Sequence, residues 1–310
     1  MAGSPIKTFN CPNCGGGVQV RALGRSLTVV CGNCHSVLDA NTEQHEILSK
    51  FTAKAQLYTP FIPLGARGQL RGTLFECIGF MVRSDKTQIY SWDEYLLYNP
   101  QQGFRWLVLQ NGHALFVTPL KAPPIQHASE LSINPFQYKQ QSFQKFTDEP
   151  AIVRFVLGEF YWAVKVGETV RTVDFICPPA MLSFEISDSE IMASISEYQD
   201  LAEVCKAFKI AEVQPRPFGV APAQLNPYSQ DSEKIILLCI PFFFGIFYLG
   251  QLYSYENAFT FWILLFGYVF FYFSRMNGME RQRWENSDYA PAIYSGSSSS
   301  GVANWFSDDD

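Results

Sequence analysis

The sequence predicts a mainly β protein. It has an N-terminal cysteine module, two small antiparallel β-rich modules arranged as a tandem barrel or sandwich, and a C-terminal α-helical hairpin that crosses a membrane. Three features lead to this reading. Two Cys-x2-Cys pairs stand within residues 1–40, glycine-broken runs rich in aromatic and β-branched residues fill 59–120 and 151–210, and two long apolar runs stand almost back to back within 234–275.

The two pairs, Cys11/Cys14 and Cys31/Cys34, have the spacing of a zinc ribbon, because each pair supplies two thiolates from one tight knuckle and four sulfurs complete a tetrahedron. Gly15 and Gly32 are expected to relieve turn strain beside the metal. A fully cysteine-ligated zinc has no position left for water or substrate, so Zn2+ here is expected to be structural, holding together a segment too small to bury its own core. His35 follows Cys34 directly, but the set of four is already complete. The remaining cysteines, Cys77, Cys177, Cys205 and Cys239, are scattered singly, which fits thiolates in a reducing compartment better than a disulfide framework. No apolar stretch precedes Cys11, so the N-terminal region is expected to stay cytosolic.

Residues 41–58 read as a linking helix. Asn41 with Gln44 three residues on resembles a capping box, and Ile47, Leu48, Phe51 and Ala55 recur at helical spacing. Residues 59–120 form the first β module, in which Asn111-Gly112 is a hairpin turn signal. Residues 121–150 are polar and hold prolines, and read as a connection. Residues 151–210 form the second β module, cut by turn candidates at Gly158-Glu159 and Gly167-Glu168. It ends in a helix capped by Asp200, with Leu201, Val204, Cys205 and Phe208 on one face. Residues 211–233 hold four prolines and read as a tether.

The apolar runs at 235–253 and 258–274 each approach the roughly 20 residues that a spanning helix needs, and SYEN alone separates them. Pro241 is expected to kink the first helix. Lys234 precedes the hairpin and Arg275, Arg281 and Arg283 follow it, whereas the connecting loop carries only Glu256, so both termini are expected on the cytoplasmic side of the inner membrane. Residues 276–310 turn from basic to serine- and glycine-rich to acidic, and are expected to be a disordered tail.

Composition narrows the function. Charged residues are 17% and hydrophobic residues 47%, against roughly 25% charged in an ordinary soluble domain. The net charge of −6 supplies no basic field, which argues against a nucleic-acid partner. Arg21 and Arg25 between the knuckles are weak counter-evidence. No nucleophile motif, P-loop, HExxH or dinucleotide-binding fingerprint is present, and no catalytic residue is assigned. His113 and His127 stand alone. Asp93, Glu94, Glu185 and Glu197 are acids that a fold could bring together.

The stretches PFIPLGARGQLRG, SWDEYLLYN, FRWLVLQNGHALFV and GEFYWAVKVGETVRTVDFICPPAMLSFEISDSEIMASISEY resemble a bacterial domain-of-unknown-function family, number 4178. The resemblance covers roughly residues 10–210. It implies no catalytic residue, but an accessory role in envelope biology near membrane scaffolds and polyamine-related enzymes. The sequence leaves open whether the two β stretches are a diverged duplication, with Trp92-Asp93-Glu94-Tyr95 and Ser196-Glu197-Tyr198 as matching positions.

The expectation that follows is a non-enzymatic, membrane-anchored adaptor or scaffold that presents its β modules to protein partners on the cytoplasmic face, in envelope or membrane-stress biology. The alternative is an enzyme acting on a lipid or polyamine-like substrate at the membrane.

Overall fold

The computed structural model describes residues 6–50, 58–210, 217, 219–225, 267 and 270. The predicted hairpin at 234–275, the tail at 276–310, most of the tether and residues 51–57 of the predicted linking helix lie outside the described residues. Among the described residues no helix is long and apolar enough to cross a membrane.

The fold is mainly β, as predicted, but its parts are joined differently. At the N-terminus β1 (Lys7–Asn10) and β2 (Gly17–Val20) form a two-stranded hairpin. Then β3 (Thr28–Val30), β4 (Ser36–Asp39) and β5 (Ile47–Lys50) add to one end of a 13-stranded antiparallel sheet. The strand β5 lies where the linking helix is expected. Its residues pair with β4, and the helix-like start is a turn in which Asp39 Oδ1 accepts hydrogen bonds from the Asn41 and Thr42 backbone N–H groups. An aspartate that closes a turn on its own following backbone competes with helix nucleation.

After the short β6 (Arg67–Leu70), β7 (Thr73–Ser84), β8 (Ser91–Asn99), β9 (Gly103–Gln110) and β10 (His113–Pro119) form an up-and-down meander. Its turns are locally encoded. Asn111 and Gly112 both take positive φ, at 51° and 79°, as a two-residue hairpin turn requires. Asn99 Oδ1 accepts from the backbone N–H groups of Gln101 and Gln102 at the preceding turn.

A second meander follows the short β11 (Phe136–Tyr138): β12 (Gln141–Phe160), β13 (Thr169–Cys177), β14 (Ala180–Ile186) and β15 (Ile191–Gln199). The predicted connection at 121–150 is thus partly strand. It holds a 3-10 helix, Ala128–Ser132, and β11, which pairs with β12. Gly158-Glu159 is not a turn but lies inside β12, whereas Gly167, with φ of 88°, does turn the chain into β13.

The two meanders are not separate modules. β10 pairs with β15 and β7 pairs with β12, all antiparallel, so eight strands close into one barrel. Closure satisfies the edges that two open four-stranded sheets would expose. The four-stranded meander therefore occurs twice, and equivalent strands meet at both seams. Trp92–Tyr95 lie on β8 and Ser196–Tyr198 on β15, the second and fourth strands of their meanders, so those two stretches are not matching positions.

Residues directly opposite in an antiparallel pair point to the same side, and this sorts the apolar residues into three layers. The barrel interior holds Ile78, Met81, Leu96, Tyr98, Trp106, Leu115, Val117, Val156 and Phe160. The outer face of the first meander is covered by α1 (Leu201–Phe208), which buries Leu201, Val204, Cys205 and Phe208 as predicted, with the Asp200 side chain accepting from the Ala202 N–H at 2.8 Å. The outer face of the second meander is covered by Ile125, Leu131 and Phe136, the last against Phe175 and Phe184. Each meander is capped by the segment that follows the other.

Candidate functional site

The structure brings the four predicted cysteines together. One ligand atom from each of Cys11, Cys14, Cys31 and Cys34 lies within 4.8 Å of the others. Cys11 Sγ is 3.7 Å from Cys34 Sγ, and Cys14 Sγ is 3.7 Å from Cys31 Sγ. Four thiolates around a metal with bonds of about 2.3 Å would have edges of about 3.8 Å. These two separations match tetrahedral edges, and the group of four could hold a metal ion and is compatible with zinc.

Two equivalent knuckles deliver the sulfurs. In the first, the Gly15 N–H donates to Cys11 O and the Cys11 N–H to Gly16 O. In the second, the His35 N–H donates to Cys31 O and the Cys31 N–H to Ser36 O. The positions that need positive φ are therefore Gly15, at 73°, and His35, at 57°, rather than Gly32. His35 completes the second knuckle through its backbone and is not a fifth ligand candidate among the grouped donors. Cys11 and Cys31 are buried beside Val18, Val20, Val29 and Leu38, a core of a few side chains. Burial pushes the Cys31 thiol up to about 12. Burial acts the same way on Cys34 but is outweighed by hydrogen bonds from Asn13 and Ser36, which bring it down to about 5.

A second group of ionisable residues was not expected from spacing. Arg83 on β7 faces the barrel interior and is 6% exposed. Its Nη1 and Nη2 donate to Glu185 on β14 at 2.5 and 3.3 Å, and Nη1 lies 3.5 Å from Glu94 Oε1 on β8. The Trp92 indole N–H donates to the same Glu94 oxygen at 2.7 Å. Burial raises the Glu94 carboxyl above its usual range and the Arg83 charge opposes that rise. Asp174 on β13 is pushed up to about 6, chiefly by burial, with Ser183 opposing and Glu185 and Glu94 adding. Arg83 Nε is buried and has no hydrogen-bond partner among the described residues.

Of the four acids singled out in the sequence, Glu94 and Glu185 thus meet on one arginine and the other two lie elsewhere. Asp93 faces the outer layer, where it is pushed up to about 6 by burial and receives the Tyr95 O–H at 3.5 Å. Glu197 pairs with Arg71 at 2.5 Å on the outside. His113 Nδ1 sits 3.1 Å from the Tyr198 hydroxyl, and His127 precedes the 3-10 helix, its N–H donating to Glu130. Glu94 and Glu185 become neighbours only because β7, β8 and β14 all face one interior, a relation that no local pattern encodes.

Residues 63–200 match a family model described as "Domain of unknown function (DUF4178)". The match begins before β6 and ends after β15, and so takes in the whole closed barrel but not the cysteine module. Comparison with curated proteins and with solved structures finds no match.

Proposed function

We propose that this chain, whose barrel matches the domain of unknown function, is a membrane-anchored adaptor without catalytic activity. A structural Zn2+ on Cys11, Cys14, Cys31 and Cys34 holds the N-terminal ribbon. The barrel, with the segments that cover its outer faces, is presented to protein partners, and the apolar hairpin at 234–275 anchors the assembly to the inner membrane with both termini cytoplasmic. Envelope or membrane-stress biology is the expected setting.

The observation that carries the reading is the closed donor set. Four sulfurs grouped within 4.8 Å would fill all four positions of a tetrahedral metal and leave none for water or substrate, so the most chemically distinctive group in the chain supports folding rather than turnover. The test is affinity purification after crosslinking from membranes, with the full chain compared with one ending near residue 230, alongside metal analysis of the purified protein. One equivalent of zinc and partners that differ between the two forms are expected. Turnover of a small molecule by the purified, partner-free protein would overturn the reading.

The convergence of Glu94 and Glu185 on Arg83, with Asp174 close enough to feel both carboxylates, favours one alternative, an enzyme acting on a lipid or polyamine-like substrate at the membrane. Activity lost in Glu94→Gln with the fold intact would establish it.

A further inference from the structure

The metal ligands and the closing seam of the barrel share consecutive residues. β3 ends at Val30, one residue before Cys31, and Val30 pairs with Gly158 of β12. Gly158 is also the residue that pairs with Gly79 of β7, where the barrel closes. Packing there is as tight as backbone allows. Gly158 has φ of 84°, a Cβ on it would meet Ile78 O at 2.2 Å, and a Cβ on Gly79 would meet Glu159 O at 2.4 Å. Gly158 and Gly79 have no side chains of their own with which to absorb a displacement of β3.

The next residue ties the same seam to the loop between the knuckles. Glu159 is fully buried. Its Oε1 accepts from the Arg21 backbone N–H at 2.7 Å, and its Oε2 accepts from the Ala22 N–H at 2.9 Å and the Ser26 hydroxyl at 2.8 Å. The Arg21 side chain then reaches β7, with Nε 3.0 Å from Glu76 Oε1, and the Leu27 N–H donates to Phe160 O at 2.9 Å. A buried carboxylate keeps its charge only while its donors stay in place; without them it must take a proton or find water. The loop that supplies the donors is held at both ends by metal-ligand hairpins.

We infer that the metal centre is a control element for the barrel: loading of the four sulfurs sets how tightly the β7–β12 seam is closed, transmitted through Val30–Gly158 and the Glu159 clamp. The inference rests on the proposed metal site. Binding to one state in preference to another is enough to shift the seam, by linkage, without any direct contact between the metal and the barrel. The seam also pairs Val153 with Arg83, so its loosening exposes the buried Arg83 and the Glu94 beside it to more water.

The experiment is hydrogen exchange on the full chain in mild detergent, loaded with zinc and after chelation, with zinc content measured in both samples. Backbone amides of 79–84 and 153–158 are expected to exchange about tenfold faster once zinc is removed, the usual scale of coupling between two sites. Ser26→Ala, which removes one donor, and Glu159→Gln, which removes one of two acceptor oxygens, are expected to keep zinc and to shrink that ratio. Zinc bound in one equivalent, with faster exchange after chelation confined to 7–50, would overturn the inference alone. A protein that takes up no zinc at all would overturn the metal site and the inference together.

Discussion

Arg83 on β7 holds Glu185, 102 residues further along the chain, through both terminal nitrogens in the interior of the barrel. Glu94 shares the same guanidinium at 3.5 Å. One buried cation is thus set against two carboxylates, Glu94 buried and Glu185 partly exposed, and its loss would leave the Glu94 charge buried without compensation. Arg83→Met is expected to cost about 3–5 kcal/mol, because removing one partner of a buried ion pair is far more damaging than replacing the whole set. Urea unfolding followed by circular dichroism measures it. Adding Glu185→Leu and Glu94→Gln to Arg83→Met should recover most of the loss, and a single-variant cost below about 1 kcal/mol would mean the cluster is solvated.

Asp174 gives a pH dependence with a definite sign. Burial holds its folded pKa at about 6, above the ordinary value of 3.8, so the folded protein keeps a proton that the unfolded chain releases. Stability from this group is therefore complete below pH of about 4 and is lost as pH rises towards about 6. Asp93, also at about 6 through burial, acts in the same direction. Asp174→Asn should raise stability at pH 7 by on the order of 1–2 kcal/mol and flatten the melting temperature between pH of about 4 and about 6. An unchanged slope in that window would show that Asp174 is hydrated.

Gly158 is expected to accept no side chain. Its φ of 84° and the carbonyl that a Cβ would meet at 2.2 Å combine a backbone penalty with a direct clash. Gly158→Ala should destabilise by about 3 kcal/mol or more, whereas Gly167→Ala, with a similar φ of 88° but open space around it, should cost only about 1 kcal/mol. Thermal melts of the two variants compare the clash with the backbone penalty directly.

Phe208 closes the outer layer of the first meander. Its ring lies over Gly68 of β6, where a Cβ would come within 2.8 Å of it. Phe208→Ala should cost about 3–5 kcal/mol through the cavity left under α1. Gly68→Ala should push the helix away and lose a comparable amount. Proteolysis after residue 200 that becomes rapid in both variants would confirm that α1 has undocked.

The elements read correctly from the sequence are those with local causes. Asn111-Gly112 sets its own turn, Asp200 caps its own helix, and the Cys-x2-Cys spacing shapes each knuckle within about five residues. The misreadings are equally local. Asn41 and Gln44 look like a capping box, but Asp39 takes the Asn41 and Thr42 N–H groups into a turn, and Ile47–Lys50 then find a strand partner in β4. Gly158 looks like a turn because nothing nearby reveals that Gly79 will lie against it.

Short-range pattern was enough for the four-cysteine set, the strand content and the helix after residue 200, since each depends on residues within a turn or two of one another. The apolar runs at 235–253 and 258–274 are equally local in the sequence, but nearly all of their residues lie outside the described ones. Folding in three dimensions was needed to close two meanders into one barrel, to place Glu94 and Glu185 on Arg83, and to make Glu159 a clamp on the loop between the knuckles. Those relations depend on register between strands far apart in the chain, and a shift of one residue would turn every one of these side chains to the opposite face.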